Sequence, residues 1–323
     1  MFDLITIGDC TVDTYALIDQ NCPQTHLSSD KKLLCLNYAD KISVFEAGEA
    51  VGGNAANVAV GVHRLGFKSA IMTELGTDLK AEFILKQLKK EKVHTSLIRQ
   101  SKRNKTRYSL VLNYRGERTI LGYHSPRSYS LPSLPETQWV YYTSLGEGFE
   151  HIQDKLLTYV KKHPQTKLAV NPGSYQIKQG LSSFKKVLPY TNILFVNKEE
   201  AQILVGEKLP SQKLLSKLHK LGPQIVIITD GAQGSLASDG TQAYFLPVYP
   251  VNNISKTGAG DAYASGFLAA IFQGHPLNQA MQWGTTNAAS VIGHIGAQVG
   301  LLNKRQISSY LKKFSSLGQK KLI

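Results

Sequence analysis

The chain has 323 residues, with 37 Lys and Arg against 23 Asp and Glu, a formal charge of +14. Hydrophobic residues make up 42%, enough apolar material for a sizeable core, which excludes a wholly disordered chain. No stretch approaches the roughly 18 consecutive apolar residues of a membrane-spanning helix, and MFDLITIGDC lacks the basic and apolar regions of a secretory leader.

In chain order, a strand begins almost at residue 1, with its apolar run at 4–8. Residues 14–50 hold short alternating stretches rather than a strand–helix unit. Residues 54–65 carry apolar side chains at helical spacing (55, 58, 59, 62, 65) and stop at Gly66. A strand at 70–74 and a helix at 79–90 follow. Residues 107–123 read as a hairpin, with an Arg-Gly-Glu turn between Tyr114 and Thr119. Strands at 139–143, 168–171, 193–197 and 225–229 then alternate with helices at 152–162, 199–205 and 213–221. The strands are continuous apolar runs, as in strands buried on both faces. The expectation is an α/β fold: a three-layer αβα sandwich with a mostly parallel central sheet. One domain spans 1–323, and a small β-sheet lid is formed by about 14–50 and 104–123. An exposed sheet appendage has edges to cover, so a homodimer through the lid is a further expectation.

The basic excess is concentrated between 80 and 107, where ten Lys and Arg face two acids, Glu82 and Glu91. No aromatic side chains interleave there at a base-stacking spacing, so a solvated helix face is the reading, and no nucleic-acid or membrane partner is expected. The three cysteines, Cys10, Cys22 and Cys35, are widely spaced and show no Cys-x-x-Cys. Reduced thiols in a cytoplasmic protein follow.

Two segments carry chemistry. In Ser255-Lys256-Thr257-Gly258-Ala259-Gly260-Asp261 the small residues bare backbone N–H groups at a helix start, which form an anion site. Asp261 falls in the first helical turn. A carboxylate beside an anion hole suits phosphoryl transfer: one takes a proton from an attacking hydroxyl, the other holds the transferred charge. In Gly52-Gly53-Asn54-Ala55-Ala56-Asn57 two glycines open a helix of small residues, and Asn54 and Asn57 share a face. Asn side chains donate and accept, which suits sugar hydroxyls. No G-x-x-x-x-G-K-[ST] and no G-x-G-x-x-G occurs, so neither common nucleotide loop is present.

With these segments the sequence resembles the ribokinase-like (PfkB) carbohydrate and nucleoside kinases over essentially its whole length. GGNAANVAVGVHRLG is similar to the family's N-terminal signature and TGAGDAYASGF to its C-terminal one, about 200 residues apart. Asp13, Asn197-x-x-Glu200, Thr229-x-Gly231-x-x-Gly234 and Asn287 match further family positions. The resemblance implies a ribokinase-like fold and an ATP-dependent phosphotransferase that moves the γ-phosphoryl to a hydroxymethyl group of a sugar. Asp261 is then the general base and Gly258, Ala259 and Gly260 the anion hole. Asp13, Gly53, Asn54 and Asn57 contact the sugar. Asn197 and Glu200 position Mg²⁺ through water, and Thr229, Gly231, Gly234 and Asn287 line the ATP site. A nucleoside kinase, a sugar-phosphate kinase and a silent sugar-binding homologue are the alternatives. Ser255 stands where many members carry an Asp that helps to hold a monovalent cation, leaving carbonyls around 296–300 for such a site. Ser also occurs there in the phosphofructokinase branch, and Arg107, Arg115 and Arg118 are the basic residues placed to read a phosphorylated sugar.

Overall fold

The computed structural model describes residues 1–123, 127, 129, 132–314 and 320–322. The first half runs β1 (Phe2–Ile7), β2 (Thr11–Ile18), β3 (Thr25–Leu27), β4 (Leu34–Leu36), β5 (Val44–Gly52), α1 (Asn54–Arg64), β6 (Ser69–Met72), β7 (Glu74–Leu75), α2 (Leu79–Lys90) and β8 (Arg99–Gln100). Next come β9 (Tyr108–Tyr114), β10 (Glu117–Tyr123), β11 (Thr137–Tyr142), α3 (Phe149–Lys162), β12 (Lys167–Val170), α4 (Ser174–Lys178), α5 (Leu181–Phe184), β13 (Ile193–Asn197), α6 (Lys198–Val205), α7 (Ser211–His219) and β14 (Ile225–Thr229). The chain closes with β15 (Ser235–Ser238), β16 (Ala243–Leu246), α8 (Ala259–Phe272), α9 (Leu277–Ile292), α10 (Lys304–Lys313) and β17 (Lys320–Lys321).

The central sheet has the order β17-β16-β15-β14-β13-β12-β11-β1-β6. From β6 to β14 every pairing is parallel. The three last strands continue it antiparallel. Consecutive residues of its strands enter opposite cores. Leu4, Tyr141, Ala169, Phe195 and Ile227 pack with α1, α8, α9 and α10. Ile5, Val140, Leu168, Leu194 and Val226 pack with α3, α6 and α7. Both faces are therefore covered, and this is why the strands read as unbroken apolar runs. The antiparallel extension through β15–β17 has no counterpart in the sequence reading, because its short stretches lack that signature.

A second sheet stands apart, with the order β10-β9-β2-β5. Only three residues separate the end of β1 from Thr11 at the start of β2, and β5 runs almost directly into α1, so this sheet is rooted at the carboxyl end of the central one. Its lower part, Val12 and Val51, packs with α1 and α2. Residues 19–43 carry only the short β3–β4 ladder. No helix among the described residues is long and apolar enough to cross a membrane.

Candidate active site

The parallel strands all end on one edge, where ligands of open α/β sheets bind. Several helices begin there, and among those without a side-chain cap are α1 behind Gly53 and α8 behind Gly258. Elsewhere α2, α6 and α10 are capped by Asp78, Asn197 and Asn303. The first turn of a helix leaves backbone N–H groups without intrahelical partners, and at α8 no side chain caps them, although Ala259 N–H makes a long contact of 3.4 Å to Lys256 O. Gly258 and Ala259 are half-buried and Gly260 is exposed, so this end of the helix is reachable.

Both glycines are dictated by geometry. Gly53 has φ 90°, and a Cβ there would lie 2.4 Å from the carbonyl oxygen of Asp9. Gly258 has φ 78°, and its Cβ would lie 2.5 Å from that of Ala297. Any other residue would be strained and would push the helix starts out of place.

Asp261 sits in the first turn of α8, only 7% exposed. Asn57 Nδ2 donates to its Oδ2 at 2.8 Å, and Gln298 Nε2 donates to Asn57 Oδ1 at 2.9 Å. Burial pushes the Asp261 carboxyl up to about 6, against the pull of the Asn57 hydrogen bond and the Arg118 charge, while Asp13 adds to the rise. A buried base poised near neutral pH is suited to proton transfer. Asn57 is 3% exposed, and both ends of its amide are engaged within the protein. It braces Asp261, whereas the sequence reading gave it to the sugar.

Asp13 reaches the same place from β2. Its carboxylate lies over Gly52, where a Cβ would meet Oδ2 at 2.1 Å. Thr11 Oγ1 donates to Oδ1 at 3.0 Å, and Ser109 is its register partner on β9. Burial raises the Asp13 carboxyl above its ordinary value, and the Thr11 and Ser109 hydroxyls and the Arg118 charge pull it back. Asn54, the first residue of α1, is half-exposed.

Further along the edge, register puts Asn197 opposite Thr229. Asn197 Oδ1 accepts from Glu200 N, and Glu200 Oε2 accepts from Asn197 N, both at 2.9 Å, closing a capping box. Burial lifts Glu200 to about 7, opposed by the Asn197 N–H and reinforced by Glu199 and Asp261. Gly231 is exposed with open space around it. Gly234 is buried, and a Cβ there would lie 2.3 Å from Leu246 O. It turns the chain into β15 and offers no open surface. Asn287 is 0% exposed. Its Nδ2 donates to Ala262 O at 2.9 Å and Ser265 Oγ at 3.0 Å, and its Oδ1 accepts from Leu302 N at 3.0 Å. It ties α9 to α8 and faces no open space, contrary to the nucleotide-lining place expected of it.

The three arginines part company. Arg107 is 2% exposed and forms an ion pair with Asp9 beneath the Gly53 turn, so it is not a free basic group of the hairpin. Tyr129 Oη donates to the same carboxylate at 3.1 Å and accepts from Gly146 N at 2.9 Å. Arg115 lies over the Tyr114 ring, 5.3 Å from its centroid. Only Arg118 has its charge felt at both Asp13 and Asp261. The Asp9–Arg107–Tyr129 cluster, Gln298 and the reach of Arg118 escaped the sequence reading. The one hint was the Gly-Asp pair closing β1. Ser255, in place of the family's Asp, is buried and donates to Thr257 Oγ1 at 3.2 Å.

Mg²⁺ fits what stands here only in one way. Among the described residues no group of three or more His, Cys, Asp or Glu gathers at metal distance. A single partly buried carboxylate, Glu200, with its charge disfavoured, suits a hydrated cation held mainly by phosphate oxygens and water.

Comparison with known proteins points to one family. The pfkB family carbohydrate kinase model matches residues 12–304. An ATP-dependent 6-phosphofructokinase of Thermoanaerobacterium thermosaccharolyticum is 24% identical over 313 residues, covering 93% of this chain and 91% of that protein. A ribokinase of Bacillus subtilis is 25% identical over 267 residues, covering 80% and 87%. The structure of Arabidopsis thaliana ribokinase complexed with ribose and ATP superposes with a TM-score of 0.77 at 18% identity, covering 96% of this chain and 99% of that one. The chain belongs to the pfkB family of carbohydrate kinases.

Proposed function

We propose that this kinase moves the γ-phosphoryl of ATP to a hydroxymethyl group of a sugar, with Asp261 as general base. The observation that carries the reading is the placing of Asp261: a buried carboxylate poised near 6, in the first turn of an uncapped helix. The acceptor hydroxyl gives its proton to Asp261 Oδ as it attacks. The N–H groups of Gly258, Ala259 and Gly260 hold the charge of the phosphoryl group in flight. Asp13, Gly53 and Asn54 bind the sugar, and Asn57 keeps Asp261 oriented. Asn197, Thr229 and Gly231 flank the nucleotide, and Glu200 orders water around Mg²⁺. When bound, Mg²⁺ would neutralise charge on the phosphate oxygens during the transfer of the γ-phosphoryl group. The β10-β9-β2-β5 sheet covers the acceptor as a lid.

A phosphorylated sugar is the second reading, favoured by Arg118, which lies on the Asp13 face of the small sheet and whose charge reaches Asp13 and Asp261. An ADP-release assay over pentoses, hexoses, sugar phosphates and nucleosides tests both. Turnover of no acceptor supports the silent homologue instead. Leu110 and Leu121 pair across strands on the lid face turned away from Asp13 and are 42% and 53% exposed. This face is the proposed seat of a second copy, and a light-scattering mass of one chain would refute it.

A further inference from the structure

The β9–β10 hairpin is a stiff unit. Arg115 and Gly116 form its two-residue turn, both at positive φ, 52° and 78°. This is the mirror-image turn whose twist matches that of paired strands. Tyr114 and Glu117 face each other across its base, and β9 pairs along most of β2. The tip therefore moves with the small sheet and has little freedom of its own.

That tip touches the loop that opens α8. Glu117 and Lys256 form an ion pair across 139 residues. A Cβ on Gly116 would lie 3.5 Å from Asn253 O. Lys256 stands two residues before Gly258, and Arg118 follows Glu117 directly. Among the described residues no other ion pair joins a strand of the small sheet to this loop. The pair is partly exposed, and such pairs contribute at most about 1 kcal/mol. That is too little to hold a fold together. It is enough to bias the small sheet, hairpin included, between two positions by a few-fold, and salt weakens it.

We propose that the Glu117–Lys256 ion pair is a latch that seats the β9–β10 hairpin on the catalytic loop and thereby sets the reach of Arg118, on the Asp13 face of the sheet, towards the site. Glu117 and Lys256 are positioning residues that act through Arg118. The kinetic part of this inference rests on the kinase reading of the site; the latch itself concerns only contacts within the chain.

Hydrogen exchange read by mass spectrometry on the full chain tests the latch without any substrate. Amides of 253–258, the loop on which the tip rests, should exchange several-fold faster in Glu117→Gln and Glu117→Lys than in the wild type. They should return towards the wild-type rate in the charge-swapped Glu117→Lys/Lys256→Glu protein. Equal rates in the wild type and Glu117→Lys overturn the proposal, as does a swap no slower than the single variant. With the acceptor found by the ADP-release assay, Glu117→Gln should raise the acceptor KM a few-fold and leave the ATP KM in place. Arg118→Met should do the same, and the double variant should lose no more than Arg118→Met alone. Additive losses would separate the two residues and overturn the positioning role. If no acceptor is turned over, the kinase reading fails while the exchange rates still decide the latch.

Discussion

The side-chain amide of Asn57 donates to Asp261 Oδ2 at 2.8 Å, joining the start of α1 to the start of α8 across 204 residues. The bond favours the ionised carboxylate, and burial opposes it. The groups facing Asp261 are Asn57 from α1, Arg118 from β10, Asp13 from β2, Tyr141 from β11 and Glu200 from α6. In Asn57→Ala the remaining balance shifts towards the protonated acid. The acidic limb of kcat/KM should move above its wild-type position near 6, so the loss at pH 6.5 exceeds the loss at pH 8.5. An unmoved limb in a folded variant would remove Asn57 from this role.

Asp261→Asn separates chemistry from stability. Turnover should fall by about 10²–10⁴-fold, the usual contribution of a general base, while ATP binding by calorimetry stays near wild type. Stability should change in the opposite sense. The folded-state value near 6 lies above the ordinary 3.8, so the folded protein binds this proton more readily than the unfolded chain. The carboxylate then disfavours the fold above about pH 6, and the penalty vanishes as pH falls below the ordinary value. Relative to wild type, the variant should gain up to about 3 kcal/mol at pH 8 and nothing near pH 4. Denaturant midpoints at the two pH values check this, and a gain independent of pH would contradict it.

Neighbouring glycines should behave differently. A Cβ on Gly260 meets nothing within 4 Å, and alanine favours a helix over glycine by roughly 0.5–1 kcal/mol. Gly260→Ala should therefore melt no earlier than the wild type. On the proposed reading its methyl group would crowd the turn that receives the phosphoryl group, so turnover should fall at least tenfold. Gly258→Ala meets Ala297 and keeps an unfavourable φ, so its melting temperature should drop as well. Full activity in Gly260→Ala would remove this turn from the anion-binding role.

The central strands were legible because burial on both faces leaves an uninterrupted apolar run, as in Ile193–Val196. The site's local parts were legible too. A glycine forced by positive φ, or an Asp in a first helical turn, leaves its mark within a few residues, as at Gly53 and Gly258–Asp261. Interactions that close over long separations left no such mark. Nothing in the sequence near Arg107 says that Asp9 will take its charge. Nothing near Asn287 says that Leu302 N will occupy its carbonyl. The same types of residue serve ligands and struts, and only burial distinguishes them.

Asn287 makes that distinction measurable. Removing its side chain leaves the Leu302 N–H without its acceptor inside the protein, together with a small void between α8 and α9. An unsatisfied buried donor costs about 1–3 kcal/mol, so Asn287→Ala should melt several degrees below the wild type. Once folded, it should keep its ATP KM within about twofold, because the lost contacts are with Ala262, Ser265 and Leu302. Asn287→Asp tests the same point from the other side. Its carboxylate still accepts from Leu302 N but presents an oxygen to Ala262 O, which cannot donate, so it too should destabilise. A variant with unchanged melting and a strongly raised ATP KM would return Asn287 to the nucleotide.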